Sequence, residues 1–247
     1  MPDHDTEPGT VDVLCLAPSG ASAREFVRWQ GAAGEACRIL PVDLPGRGRK
    51  MRQTPEATLH DTVGRLLDEL PSERPYVLFG HSFGGLVAYE LTRRAAANGL
   101  PLPRSLVVAA CRPPHEISSP LISEAAELGE KEMLDALDAA GLLAESLRTS
   151  PAAAMIIPAL RADLRLLAGY VPPAPAEAAV PVDIFSWYGT ADRAVPETVA
   201  ADWRPYTSGT CTLRAFDGGH FFVRDHWTVC VERLVDLVPG GAVTAPH

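Results

Sequence analysis

No apolar run in this 247-residue chain is long enough to span a membrane, which takes about 20 consecutive apolar residues. Positive charge is scarce. Lys and Arg number 22 against 31 Asp and Glu, a net charge of −9, and this excludes general nucleic-acid binding of the electrostatic kind. The five cysteines, Cys15, Cys37, Cys111, Cys211 and Cys230, show no CxxC pair and no zinc-ligand spacing. They lie mostly in apolar runs and read as reduced, buried thiols. The opening MPDHDTEPGT has no apolar region of the kind a secretion signal needs, so a cytoplasmic protein is the expectation. What is present is a hydrophobic fraction of 47%, enough for one large core. Residues 11–238 are expected to form a single α/β domain, with 1–10 and 239–247 as tails.

Strands and helices alternate along that span. "VDVLCLAPSG", "CRILPVDLPGRGR", "YVLF", "SLVVAAC", "VDIFSWYG" and "CTLRAF" read as buried strands, several ending in Gly- or Pro-rich turns. Residues 58–70 place Leu59, Val63, Leu66, Leu67 and Leu70 on one helical face. A helix follows the third strand from about Gly84 to Asn98, and "HWTVCVERLVDLV" closes the chain as an amphipathic helix. Short apolar strands alternating with helices imply a mostly parallel sheet covered on both faces.

Residues 113–175 lack a convincing strand. "EKEMLDALDAAGLL" is amphipathic, and Ser150-Pro151 reads as an N-cap and first-turn proline opening a second helix. Pro158 is expected to kink or split it. A helical insertion between two strands at the mouth of the sheet reads as a lid; the alternative is a peripheral bundle that only adds core. If it is a lid, Met155, Ile156, Leu160 and Leu164 face the substrate pocket, with packing onto the core as the alternative for Leu160 and Leu164. The adjacent charges Arg161 and Asp163 are expected to fix the lid to the core.

Chemistry is concentrated in "YVLFGHSFGG". A strand meets a helix at Ser82, flanked by Gly80 and Gly84. A tight strand-to-helix turn pushes one side chain into the crevice at the strand ends. It needs small neighbours, which the glycines supply. Ser82 is therefore the candidate nucleophile, and the helix behind it aims its first N–H groups at the same spot. A serine hydroxyl needs a base and a group to orient that base. On this kind of sheet the chain order is Ser, then Asp or Glu, then His. His220 follows the last strand in "FDGGHFF", where two glycines allow a sharp loop; His226, the competitor, heads the closing helix. Asp192 ends the strand before, in "YGTAD". Phe83 N–H is the first expected oxyanion donor. Ser19 or Gly20 N–H, in the loop after the first strand, is the second; Pro18 has no N–H.

These motifs together resemble the external, type II thioesterases of polyketide and nonribosomal peptide biosynthesis, within the α/β-hydrolase superfamily. The resemblance covers nearly the whole chain. It rests on "PSGASA", "LPGRGRKMR", "FGHSFGG", "IPALRADLRLLAGY", "YGTADRAVP" and "FDGGHFF". Against the family's longer "PYAGGSA"-type loop, this chain lacks the aromatic and one glycine. Its elbow has Phe83 and Gly85 where the family commonly has methionine and alanine.

The resemblance implies hydrolysis of acyl groups from the phosphopantetheine arm of acyl or peptidyl carrier proteins, to clear misloaded carriers or to release intermediates. Phosphopantetheine would be part of the substrate, and no cofactor or metal is required. No nucleic acid or membrane partner is expected, and a monomer is the default. A carboxylesterase or lipase, or an acyltransferase, would use the same triad; a non-catalytic carrier-docking module is the third alternative. The basic run Arg47, Arg49, Lys50 and Arg52 reads either as a docking patch for an acidic carrier or as a solvated loop.

Overall fold

The computed structural model describes residues 11–145, 147 and 153–238. Six strands, β1 (Val11–Leu16), β2 (Cys37–Val42), β3 (Tyr76–His81), β4 (Ser105–Ala109), β5 (Asp183–Gly189) and β6 (Cys211–Phe216), form one sheet in the order β2-β1-β3-β4-β5-β6. Every neighbouring pair is parallel. β1, β3 and β4 are buried along their whole length, which is why they read as unbroken apolar runs rather than alternating ones. Within them the side chains still alternate between two cores. Leu14, Leu16, Tyr76 and Leu78 face one core; Val11, Val13, Val77 and Phe79 face the other.

Helices cover both faces. α1 (Trp29–Ala33) lies with the closing helices α9 (Phe222–Asp225) and α10 (Trp227–Val235) on one side, where Trp29, Val231 and Leu234 are buried. α2 (Leu59–Leu66) and α3 (Phe83–Ala97) cover the other. The Thr58 hydroxyl accepts the Asp61 N–H at 3.0 Å and caps α2. α8 (Glu197–Ala201) sits between β5 and β6. Because β1 pairs with both β2 and β3, the winding reverses at β1. Ligands bind at such reversals, beyond the carboxyl ends of the strands. Here β1 ends at Leu16, whose register partner Gly80 lies one residue before the end of β3.

Between β4 and β5 the described residues form no named strand. They form a 3₁₀ turn (Pro114–Glu116), α4 (Pro120–Glu127), α5 (Glu130–Ala139), α6 (Ala153–Ala168) and α7 (Pro175–Ala178). Ser119 caps α4, accepting the Ile122 N–H at 3.3 Å. Arg161 donates to the carbonyls of Ala126 and Leu128 at 2.9 and 2.7 Å, joining α6 to the end of α4. The expected start of α6 at Ser150-Pro151 lies outside the described residues. Pro158 neither splits nor ends α6. Both Pro158 and Ala154, four residues before it, are exposed, so the carbonyl that proline leaves without a helical partner faces solvent rather than the core. Among the described residues no helix is long and apolar enough to cross a membrane.

Candidate active site

The turn from β3 into α3 is strained. Ser82 has φ 52° and ψ −118°, a region that side-chain-bearing residues avoid. The strain is held by close contacts that only glycine permits. A Cβ on Gly80 would lie 2.1 Å from the Gly84 carbonyl oxygen, and one on Gly84 would lie 2.2 Å from that of Leu16. Ser82 N–H donates to Ala109 O at 2.8 Å, fixing the turn to the end of β4.

Two other strand ends meet it. Asp192 follows β5 and His220 follows β6; both are buried. His220 Nε2 lies 2.9 Å from Ser82 Oγ, and His220 Nδ1 lies 2.9 Å from Asp192 Oδ2. With Nδ1–H donating to the carboxylate, Nε2 is the acceptor for the serine proton. Asp192 Oδ1 accepts the N–H groups of Ala194 and Val195 at 2.8 and 3.1 Å. Burial raises its carboxyl pKa, but the His220 hydrogen bond and charge and these two N–H groups outweigh burial and hold it below the usual range. The structure thus brings Ser82, Asp192 and His220 together. His226 instead sits at the N-cap of α10.

Phe83 is the first residue of α3, so its N–H has no acceptor within the helix. The two loop donors are not equivalent. Gly20 N–H donates to Asp163 Oδ2 at 2.8 Å, which removes Gly20 from the oxyanion candidates and leaves Ser19.

Ser82 and His220 line a cavity of about 320 Å³. Its apolar wall comes from Phe83, Ile117, Leu121, Ile122, Leu142 and Leu167, and Arg193 stands on it as well. The described side chains expected to face the substrate pocket are not on this wall. Ile156 and Leu160 line a separate cleft of about 790 Å³, beside Ser19 and Gly20. Leu164 is buried in the main core. The Met155 side chain lies outside the described residues. Ile117, Leu121 and Ile122, which line the cavity beside Ser82, were not among the expected residues, although they follow soon after β4, whose end touches Ser82. Leu142 lines both spaces.

Arg47 also departs from expectation. It is buried and ion-paired with Asp163 rather than part of a solvated patch. Asp163 ties the insertion to the loops after β1 and β2, as expected; Arg161 instead joins α6 to the end of α4 within the insertion. All five cysteines are free, and burial pushes the Cys37 and Cys230 thiols up to about 11 and about 12.

A family model described as "Thioesterase domain" matches residues 12–238. The chain belongs to this thioesterase family. Among similar proteins, thioesterase PikA5 of Streptomyces venezuelae is 30% identical over 250 residues, covering 98% of this chain and 86% of the relative. Phenyloxazoline synthase MbtB of Mycobacterium tuberculosis is 32% identical over 224 residues, covering 89% of this chain and 15% of the relative. The chain thus spans only that 15% of the first curated relatives it matches. Among solved structures, ClbQ from the colibactin NRPS/PKS pathway superposes with a TM-score of 0.85 at 25% identity, covering 96% of this chain and all of that one. The parallel sheet with its helical covering is the α/β-hydrolase fold of these thioesterases.

Proposed function

We propose that this thioesterase hydrolyses acyl groups from the phosphopantetheine arm of acyl or peptidyl carrier proteins in polyketide or nonribosomal peptide biosynthesis. The observation that carries the proposal is the hydrogen-bonded chain from Ser82 through His220 to Asp192 at the wall of an apolar cavity. The origin of ClbQ in the colibactin NRPS/PKS pathway supports the pathway, and the name of thioesterase PikA5 supports the activity.

In this reading Ser82 Oγ attacks the thioester carbonyl while His220 Nε2 takes its proton. Asp192 stabilises the imidazolium. The tetrahedral oxyanion is held by the N–H groups of Phe83 and Ser19. The C–S bond breaks and the thiol leaves with the proton from His220. A thiol of pKa ~8.5 needs little acid help. Water, deprotonated by His220, then cleaves the acyl-serine and restores the enzyme. The acyl chain lies in the smaller cavity, under a lid formed by residues 113–175 of a single unit spanning 11–238. We further propose a monomer acting in the cytoplasm.

The test is a hydrolysis panel of acyl-carrier, acyl-CoA and acyl-pantetheine thioesters beside simple esters. The acyl-carrier should have the highest kcat/KM. Faster cleavage of simple esters would mark an esterase, and transfer to an added alcohol in preference to water would mark an acyltransferase.

A further inference from the structure

His81 ends β3, directly before Ser82, and is fully buried. Its Nε2 lies 2.8 Å from the backbone carbonyl oxygen of His220. A carbonyl only accepts, so the proton must sit on Nε2 and Nδ1 must be bare. Among the described residues Nδ1 is buried without a hydrogen-bond partner. A side chain kept for packing alone would not carry a bare polar atom inside, because an apolar one of similar size fills the space without that loss. What the imidazole contributes is therefore its one bond.

That bond falls on the residue whose ring joins Ser82 to Asp192. The turn carrying His220 is held at two points. Gly218 O accepts the Ala191 N–H at 2.8 Å, and His220 O accepts from His81. Ala191 adjoins Asp192, and His81 adjoins Ser82. The segment that bears the imidazole is thus tied to both segments that bear its partners.

We infer that His81 is a positioning residue: its Nε2–H fixes the His220 backbone, and through it the ring, at hydrogen-bonding distance from Ser82 Oγ. The ring packs 5.7 Å from the Phe221 ring in an edge-on contact, which sets its plane. Burial, with the nearby His220 and Arg224, keeps it uncharged, so the donor does not change with pH in the working range; the bond to the His220 carbonyl and the charge of Asp192 act in the opposite sense but do not prevail. The inference rests on the triad reading above only in taking His220 as the base.

Two substitutions separate the bond from the bulk. His81→Gln places an amide N–H near the Nε2 position, and His81→Met fills similar volume with no donor. The expected result is a kcat about 10- to 100-fold lower in His81→Met at unchanged KM, the scale set by small misplacements of reacting groups. His81→Gln should recover most of that loss. In ¹⁵N-histidine spectra of the wild-type protein, His81 should be the neutral Nε2–H tautomer. Wild-type kcat in His81→Met, equal losses in both variants, or an Nδ1–H tautomer would each overturn the inference. The spectra and His81→Gln decide the matter even where His81→Met does not fold. Ser82→Ala, run alongside, tests the triad reading separately: activity surviving there would refute that reading and leave the His81 tautomer result standing.

Discussion

Arg47, in the loop after β2, and Asp163, on helix α6, form a two-pronged ion pair with both side chains buried; the Nη1–Oδ2 contact is 2.7 Å. Asp163 also accepts the Gly20 N–H, so one carboxylate joins the insertion, the β2 loop and the β1 loop. Removing one partner leaves the other charge buried and uncompensated, a loss of about 3–5 kcal/mol. Asp163→Ala should therefore lower the thermal midpoint by roughly 10 °C. The double variant Arg47→Met/Asp163→Leu should regain most of this. Calorimetry of the three proteins checks it. Equal midpoints for the single and double variants would show that the unpaired charge is not the cause.

The cavity wall makes a prediction about chain length. Ile122→Trp fills the space beside Ser82 and should slow long acyl groups by roughly 10- to 200-fold, while acetyl transfer to water persists. Ile156→Trp, in the neighbouring cleft, should leave the chain-length profile unchanged. The check is kcat/KM across a series of acyl-pantetheines. A profile that shifts with Ile156→Trp and not with Ile122→Trp would move the acyl site to the larger cleft.

With Arg47 buried, the basic run is smaller than its sequence suggests. Arg49 remains 77% exposed, and Lys50 pairs with Glu69. If this face meets an acidic carrier, Arg49→Glu/Lys50→Glu should raise KM for acyl-carrier roughly tenfold at low salt, with the effect shrinking as salt screens it. KM for acyl-pantetheine should not change. A matching rise for both substrates would point to a folding or catalytic defect.

Acid should destabilise the protein through His81. Burial lowers its folded pKa from 6.5 to about 3, so between those values the unfolded chain binds a proton that the folded chain does not. Stability must then fall as pH drops below 6.5, by up to about 1.4 kcal/mol per pH unit. Asp192, whose carboxyl is depressed in the folded state, adds to the loss at the acid end as pH falls through its folded value. Urea denaturation at stepped pH should show this slope, and His81→Gln should flatten it. An unchanged slope in that variant would assign the acid sensitivity to other groups.

The strands and the meeting of Ser82, Asp192 and His220 were legible because each is local. A strand end is marked by its own turn residues, and the parallel order carries three such ends to one edge of the sheet. Contacts made across long separations were not legible. Nothing near Gly20 signals that its N–H is taken by a carboxylate 143 residues away. Arg47 looks like its exposed neighbours until Asp163, 116 residues on, is placed against it. The insertion helices hid the pocket for a different reason. α6 is apolar over much of its surface and meets both the core and a cleft, so helical spacing alone could not assign Ile156, Leu160 and Leu164 to a particular space. Likewise, the elbow histidine gives no local hint of its bond to a carbonyl 139 residues away.

In the proposed reaction an acyl group passes from a carrier thiol to Ser82 and then to water. The most direct measurement is mass spectrometry of the protein mixed rapidly with an acyl-loaded carrier and quenched during turnover. The expected result is a mass increase equal to one acyl group, confined to the peptide containing Ser82, appearing with free carrier thiol and absent from Ser82→Ala. Thioester cleavage at the wild-type rate by Ser82→Ala, or an acyl adduct on any other residue, would contradict it.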